Sequence, residues 1–340
     1  MSHLNLQPGQ TAVITGAGSG FGLALARLGA QKGLNLVLAD VQQDALETLA
    51  AELTTAGANF ALLKGDVSRA EDVQALADLC MARFGAPNIV INNAGVEHCG
   101  LIWEHTQRDW EWVLGVNLFG VIHGLRIFTP LMLAAARKDP AWQGHMVNVA
   151  SMAGLLNSPN MGAYNVSKHA VVSLSETLYQ DLALVTDQVH ASVLCPYFVP
   201  TGIHLSHRNR PAALCSEDQP TPSQMIAQAM MEKAVTSGKL TADEVAHLVY
   251  DGIEAGRFYI YTHPKTLRMV QTRLEDVLQG RNPSDPYDSK PELGQQLKDY
   301  LPDAEVTGHS LGGGKAQAAG VVGGLKGSMF NAAGLHPKSV

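Results

Sequence analysis

A chain of 340 residues with 46% hydrophobic side chains can bury one large core, and a formal net charge of -7 supplies no basic field for a nucleic-acid backbone, so the expected partner is a small molecule. Cys80, Cys99, Cys195 and Cys215 form no CxxC pair or disulfide-like framework, and they read as small apolar residues of a reducing compartment. The N-terminus has no positive segment leading into an apolar core, and no apolar run reads as long enough to span a bilayer, which gives a cytoplasmic expectation with no membrane contact.

Runs rich in Val, Ile and Leu at residues 11–15, 35–39, 60–64, 88–92, 145–150 and 189–194 predict buried strands. Between them lie stretches of helical period, such as Leu46, Leu49, Ala50 and Leu53, or Val73, Leu76, Ala77 and Cys80. Such alternation predicts an α/β fold, a doubly wound parallel sheet of roughly seven strands. One further strand, residues 258–261, follows a long excursion over residues 202–256, which reads as an insertion on the substrate side. From Gly280 the composition turns rich in Gly, Pro and Ala. The expected division is a main domain over residues 5–285 and a C-terminal extension over residues 286–340, with the boundary in residues 285–302.

The first strand runs straight into Gly16-Ala17-Gly18-Ser19-Gly20-Phe21-Gly22 and then into a helical pattern at Leu23, Ala24, Arg27 and Leu28. Glycines there let the backbone turn tightly against a pyrophosphate at the positive end of a helix dipole. Asp40 ends the second strand roughly 20 residues further on, where a carboxylate can accept both ribose hydroxyls of an adenosine and repel a 2′-phosphate. Val41 is not basic, so NAD is expected over NADP. The rival role for Asp40 is a helix N-cap. Asp66-Val67 and Asn92-Asn93-Ala94-Gly95 end the next two strands and face the same crevice, with Asp66 able to reach an adenine amino group. Asn92 reads as a tie between strand ends, and Asn93 as that or a ligand.

Ser151 follows the fifth strand, and Tyr164-Asn165-Val166-Ser167-Lys168 opens a helix that carries Tyr164 and Lys168 on one face. A phenol is a poor base at neutral pH, and an adjacent ammonium lowers its pKa. The glycine turn, the Asn-Asn-Ala-Gly segment, Asn117, Ser151 and the Tyr164/Lys168 pair together resemble the short-chain dehydrogenase/reductase family over about residues 5–265. The resemblance implies hydride transfer between NAD(H) and a secondary alcohol or ketone. It implies that Ser151 holds the substrate oxygen, Tyr164 is the acid/base, Lys168 binds the nicotinamide ribose and Asn117 positions a relay water. It further implies cofactor contacts from Gly16, Ser19, Gly20, Phe21, Gly22, Asp40, Val41, Asp66, Val67, Asn93, Ala94, Gly95, Pro196, Val199 and Thr201, and assembly as a homodimer or homotetramer through the helices around Asn117 and Tyr164. From the residues alone, Asn117 could equally be a helix-bending residue and Ser151 a turn residue.

One segment departs from the family. Its usual Pro-Gly is here Pro196-Tyr197, and Tyr197 and Phe198 are expected to add aromatic rings to the substrate wall. The loop His204 to Pro211 resembles enlarged loops of members acting on bulky aromatic or polycyclic alcohols; His204 and His207 have no third ligand at a suitable spacing, and no metal is expected. Finally, Gly308-His309-Ser310-Leu311-Gly312 resembles the nucleophile elbow of lipases. Serine hydrolysis through Ser310 and a non-catalytic NAD(H) sensor therefore stand as alternatives.

Overall fold

A computed structural model describes residues 4–215, 219–288 and 290–300. Its elements run β1 (Thr11–Thr15), α1 (Gly20–Gln31), β2 (Asn35–Asp40), α2 (Gln43–Thr55), β3 (Phe60–Lys64), α3 (Ala70–Phe84), β4 (Ile89–Asn92), α4 (Gln107–Leu114), α5 (Gly120–Lys138), β5 (Gly144–Val149), α6 (Gly162–Val185), β6 (Val189–Cys195), α7 (Pro222–Thr236), α8 (Ala242–Glu254), β7 (Tyr259–Tyr261), α9 (Leu267–Leu278) and α10 (Pro291–Tyr300). All pairings are parallel and the sheet order is β3-β2-β1-β4-β5-β6-β7. The order reverses at β1, between β2 and β4, and a crevice opens there beyond the carboxyl ends of the strands.

Strand alternation sorts the apolar residues onto two buried faces, which is why the strands read as continuous apolar runs. Ile14, Leu36, Leu38 and Ile91 join Leu25 of α1 and Val249, Tyr250 and Ile253 of α8. On the other face Val13, Val37, Val90 and Met146 join Leu76 of α3 and Phe128 and Met132 of α5. Tyr250 is fully buried, and its hydroxyl donates to the Leu25 carbonyl at 3.0 Å.

The excursion expected as one insertion divides in two. Its second half, α8, covers the sheet with Val245, Ala246, Val249 and Ile253 buried, so it is a core layer. Its first half runs through the 3-10 segments Ile203–Asn209 and Ala212–Leu214 into α7. Thr221/Gln224 and Thr241/Glu244 form capping boxes that start α7 and α8.

The expected boundary at residues 285–302 falls on α10, whose Leu297 is buried against Ile226 of α7. Leu293, Leu297 and Tyr287 carry that contact, too few apolar residues to outweigh the Gly- and Pro-rich surroundings in the sequence. The helical stretch Gln107–Lys138 is, by length and composition, apolar enough to cross a membrane, contrary to the reading that no run is. Polar residues interrupt the run in sequence, whereas the folded helix joins its apolar parts; Phe128 and Met132 pack it against the sheet.

Candidate active site

The cofactor end of the cleft is built from backbone. Gly16 and Gly20 adopt left-handed φ values of 65° and 53°, which glycine reaches without a Cβ penalty. A Cβ on Gly22 would run into the Gly16 carbonyl, so Gly22 serves the close approach of α1 to β1 and lies behind the cleft. Ser19 is the N-cap residue of α1 and, with Gly16, Gly20 and Phe21, lines the cleft. The turn and helix N-terminus form a cradle that fits a dinucleotide pyrophosphate.

Asp40, Val41, Asp66 and Val67 line the adjoining wall. The Gly18 N–H donates to Asp40 Oδ2 at 2.8 Å and the Gln42 N–H to Asp40 Oδ1 at 2.9 Å. Gln42 is the N-cap of α2, so Asp40 does not take that rival role. Asp66 Oδ1 accepts from the Ser68 N–H at 2.9 Å.

Asn93, Ala94 and Gly95 also line the cleft, yet the Asn93 amide is committed to the fold. It donates to the carbonyls of Thr15 at 2.8 Å and Gly16 at 3.2 Å, pinning the glycine turn, so this segment offers a cofactor mainly its backbone. Asn92 ties the strand ends as read, donating to Asn148 Oδ1 at 2.8 Å.

Tyr164 and Lys168 of α6 face the same cleft. Lys168 Nζ donates to the Val149 carbonyl at 2.9 Å and lies 5.6 Å from the Tyr164 ring centroid. Ser151 acts to lower the pKa of the phenol against the larger upward push of burial. It accepts from the Ala153 N–H at 3.1 Å, which caps a 3-10 turn as the turn reading expects, and it sits next to Ala150 of the cleft lining without being part of that lining itself.

Burial is the dominant influence on this pair. It pushes the Tyr164 phenol well above its ordinary range, with Ser151 acting in the opposite direction, and brings Lys168 down to about 8. The lowering of Tyr164 expected from Lys168 is not found: burial sets the direction and Ser151 is the group that opposes it, while Lys168, at about 8, still carries its proton at pH 7.

Asn117 sits in a π-helical turn, Gly115–Phe119, between α4 and α5. Its Oδ1 accepts from the Val96 N–H at 2.8 Å, and its Nδ2 donates to the Val96 carbonyl at 2.8 Å and Ser167 Oγ at 3.0 Å. The side chain thus holds the cleft wall at Val96 rather than reaching into open space.

Pro196 and Thr201 line the cleft, whereas Val199 belongs to the main core and does not. The expectation that Tyr197 and Phe198 enlarge the substrate wall is corrected too. Tyr197 packs on Phe198 and His263, and Phe198 packs against the Cys99, Ala227 and Met231 cluster; neither lines the central cleft. The Tyr197 N–H donates to Thr262 Oγ1 at 3.0 Å, which turns the ring away beyond the end of β7.

The other end of the cleft is walled by Val96, Trp112, Ile203, Ser206, Arg208, Pro211 and Leu214. A buried ion pair latches this wall: Arg210 Nη1 lies 2.6 Å from Asp109 Oδ1, and Arg210 spans Trp112 with 5.1 Å to the ring centroid. Burial pushes Asp109 upward, but the His98 ring 3.3 Å away and hydrogen bonds from Thr106 together hold it well below the usual carboxylate range. His98, His105 and Asp109 are close enough to share a cation, although Arg210 already supplies one. His204 and His207, considered in the sequence, are not part of this group. Glu97 and Arg210 escaped the sequence reading because neither lies in a recognisable motif. The capping pattern Thr106/Asp109 was the available signal, and it marks a helix start without naming a partner 101 residues away.

Against known proteins, a family profile described as short chain dehydrogenase matches residues 10–211. A second, a Tle-like phospholipase domain, matches residues 262–340; Ser310 lies outside the described residues. The chain is 31% identical over 268 residues to a CLA biosynthesis dehydrogenase/reductase of Lactiplantibacillus plantarum, covering 78% of this chain and 92% of that protein. It is 31% identical over 293 residues to a C alpha-dehydrogenase of Sphingobium sp., covering 86% and 92%. A crystal structure of a short chain dehydrogenase/reductase from Burkholderia phymatum in complex with NAD superposes with a TM-score of 0.81 at 50% identity, covering 83% of this chain and 99% of that one.

Proposed function

This chain belongs to the short-chain dehydrogenase family, and on that premise we propose that it interconverts a bulky apolar or aromatic secondary alcohol and its ketone with NAD(H), using Tyr164 as acid/base. It is an oxidoreductase acting on CH–OH groups with a nicotinamide cofactor. The observation that carries the reading is a single cleft lined by the glycine turn at one end and by Tyr164 and Lys168 further along.

When bound, the nicotinamide accepts or supplies hydride. The chain's own residues handle the oxygen. Ser151 and Tyr164 direct two hydroxyls at it, so that charge developing on the oxygen meets donors already in position. Tyr164 takes the proton in oxidation and returns it in reduction, while the Lys168 ammonium favours the phenolate. Burial raises the cost of that phenolate and makes Tyr164 the stronger base once formed.

NAD over NADP is supported by Asp40 at the end of β2 and by Val41 beside it. A bulky substrate is supported by the apolar wall of Trp112, Ile203, Pro211 and Leu214. We also propose a cytoplasmic homodimer or homotetramer, supported by Phe119 and Val166, which are exposed near Asn117 and Tyr164. The proposed organisation keeps residues 5–285 as the dehydrogenase and residues 286–340 as an extension. Every residue assigned to the chemistry precedes Gly202.

The test is a panel of aromatic and aliphatic secondary alcohols with NAD and NADP, read by reduced-cofactor absorbance. Turnover of bulky secondary alcohols with NAD is expected. Absence of turnover throughout, alongside tight NADH binding, would overturn the reading in favour of a sensor.

A further inference from the structure

The substrate wall carries a positive charge that no partner answers. Of the basic side chains lining the cleft, Lys168 is held by the Val149 carbonyl beside Tyr164, which leaves Arg208. Arg210, close by on the same loop, is paired with Asp109. Arg208 makes no hydrogen bond or ion pair among the described residues. The carboxylates of the lining are engaged elsewhere: Asp40 and Asp66 accept from backbone N–H groups on the adenosine wall, and Glu111 accepts from Gln107 Nε2 at 3.0 Å.

The Arg208 guanidinium nevertheless has a seat. Its Nη2 lies 3.2 Å from the point that a Cβ on Gly202 would occupy. Gly202 has an ordinary φ of −82°, so no left-handed turn requires glycine there; what the missing side chain supplies is room for the guanidinium over the first residue of the loop. The stretch between is fastened. Ser206 Oγ accepts from the Glu97 N–H at 3.2 Å, the His204 carbonyl accepts from Gln228 Nε2 at 2.6 Å, and Arg210 closes the stretch on Asp109. Arg208 thus holds a set place in the same lining as the apolar side chains of Trp112, Ile203, Pro211 and Leu214.

A cation in a cleft is screened less than one on an open surface, and the planar fork of a guanidinium meets a carboxylate through two parallel N–H donors. A wholly apolar alcohol makes no use of that fork. We propose that Arg208 is a specificity-determining residue that pairs with a carboxylate on the substrate, remote from the reacting carbon. The preferred class is then an amphipathic anion: a bulky apolar secondary alcohol, or its ketone, that also carries a carboxylate. This deepens the dehydrogenase reading and rests on it. Hydride leaves the carbinol carbon for the nicotinamide and the hydroxyl proton passes to Tyr164; the carboxylate is held and does not react.

The experiment measures oxidation by NAD of α-methylbenzyl alcohols carrying a para carboxylate, carboxymethyl or carboxyethyl group, each against the matched para alkyl alcohol, in wild type, Arg208→Lys and Arg208→Gln. Arg208 is exposed, so its variants are expected to fold. Wild type should favour at least one carboxylate over its neutral match by about tenfold or more in kcat/KM, since a site built to pair a polar group discriminates against its absence. Arg208→Gln should bring that ratio close to one through a raised KM for the carboxylate. Arg208→Lys should keep part of it, and added salt should narrow it in wild type. NADH affinity, read by fluorescence titration without substrate, should stay within about twofold in Arg208→Gln. No carboxylate favoured in wild type, or an undiminished ratio in Arg208→Gln, overturns the role of Arg208 and leaves the dehydrogenase reading intact. A larger fall in NADH affinity assigns the guanidinium to the cofactor phosphates and overturns that role as well. Oxidation of none of these alcohols, with the wider panel also silent, overturns the dehydrogenase reading itself.

Discussion

The two ends of the cleft are held by different means. At the cofactor end, backbone groups of the glycine turn are pinned by Asn93 and Asp40 within a few strand ends of one sheet. At the substrate end, the wall over residues 203–214 is fastened to α4 by the charged pair Asp109–Arg210, with His98 beside it. A backbone cradle is set by local conformation and tolerates little change. A latch of long side chains lets the wall vary in sequence while the chemistry stays fixed.

Cutting that latch tests the contrast most sharply. Arg210→Ala leaves the buried Asp109 without its guanidinium partner, with only His98 and Thr106 beside it, and a loss of about 3 kcal/mol in denaturant stability is expected, with a raised alcohol KM. NADH affinity, measured by fluorescence titration, should stay within about twofold. A parallel fall in NADH affinity would mean that the two ends are not independent.

Removing the shared reacting group comes next. Tyr164→Phe should lower turnover by about a hundredfold, roughly 2.7 kcal/mol, while NADH still binds. Near-normal turnover in steady-state assays would rule out Tyr164 as the acid/base.

At the cofactor end, Asp40→Ala combined with Val41→Arg should move the ratio of NAD to NADP efficiency by at least about tenfold toward NADP. A wild-type enzyme equally efficient with both cofactors would contradict the assigned role of Asp40.

A smaller effect is expected at Glu97. Its pKa is about 8 in the folded protein against 4.5 ordinarily, so between these values the folded state binds the extra proton. Stability from this group is present below about pH 4.5 and is lost as pH rises through 8. Glu97→Gln should therefore gain in melting temperature relative to wild type as pH goes from 5 to 8. A constant difference would show that burial does not hold the carboxyl protonated.

The smallest effect concerns the extension. Ending the chain at Pro302 should leave melting temperature and turnover nearly unchanged, whereas ending it at Asp285 also removes Leu297 from Ile226 and should cost about 1.5–3 kcal/mol. Collapse of the chain ending at Pro302 in melting, mass and activity measurements would make the tail integral to the fold.

The contrast also explains what was legible in the sequence. Strands buried on both faces announce themselves as Val/Ile/Leu runs, and the glycine turn, Asp40, Ser151 and Tyr164/Lys168 sit at fixed offsets from them. The strand edges needed little correction: β2 takes in Asp40, whose backbone pairs with Lys64, and β7 begins after Phe258. Asn93 and Asn117 were recognisable as motif residues, but the partners that consume their amides lie across the sheet or beyond a π turn. Arg210 and Glu97 were silent because long-range pairing and burial leave no periodic trace. The excursion looked like one insertion because α8 owes its core position to α1, over 200 residues earlier, rather than to any local signal.

The bond from the Gly18 N–H to Asp40 has an evolutionary consequence. The carboxylate proposed to meet the adenosine ribose also restrains the glycine turn, so one side chain would answer to two selective demands. A lineage shifting toward a phosphorylated ribose could not simply discard the acid. It would also have to find a new acceptor for Gly18, and the intermediate carrying either change alone would pass through a weakened cofactor grip. Coupling of this kind makes cofactor exchange a two-step path with a valley between the steps, and a library that varies Asp40 and Val41 together with Ala45, which a Cβ on Gly18 would meet at 2.7 Å, samples the far side of that valley.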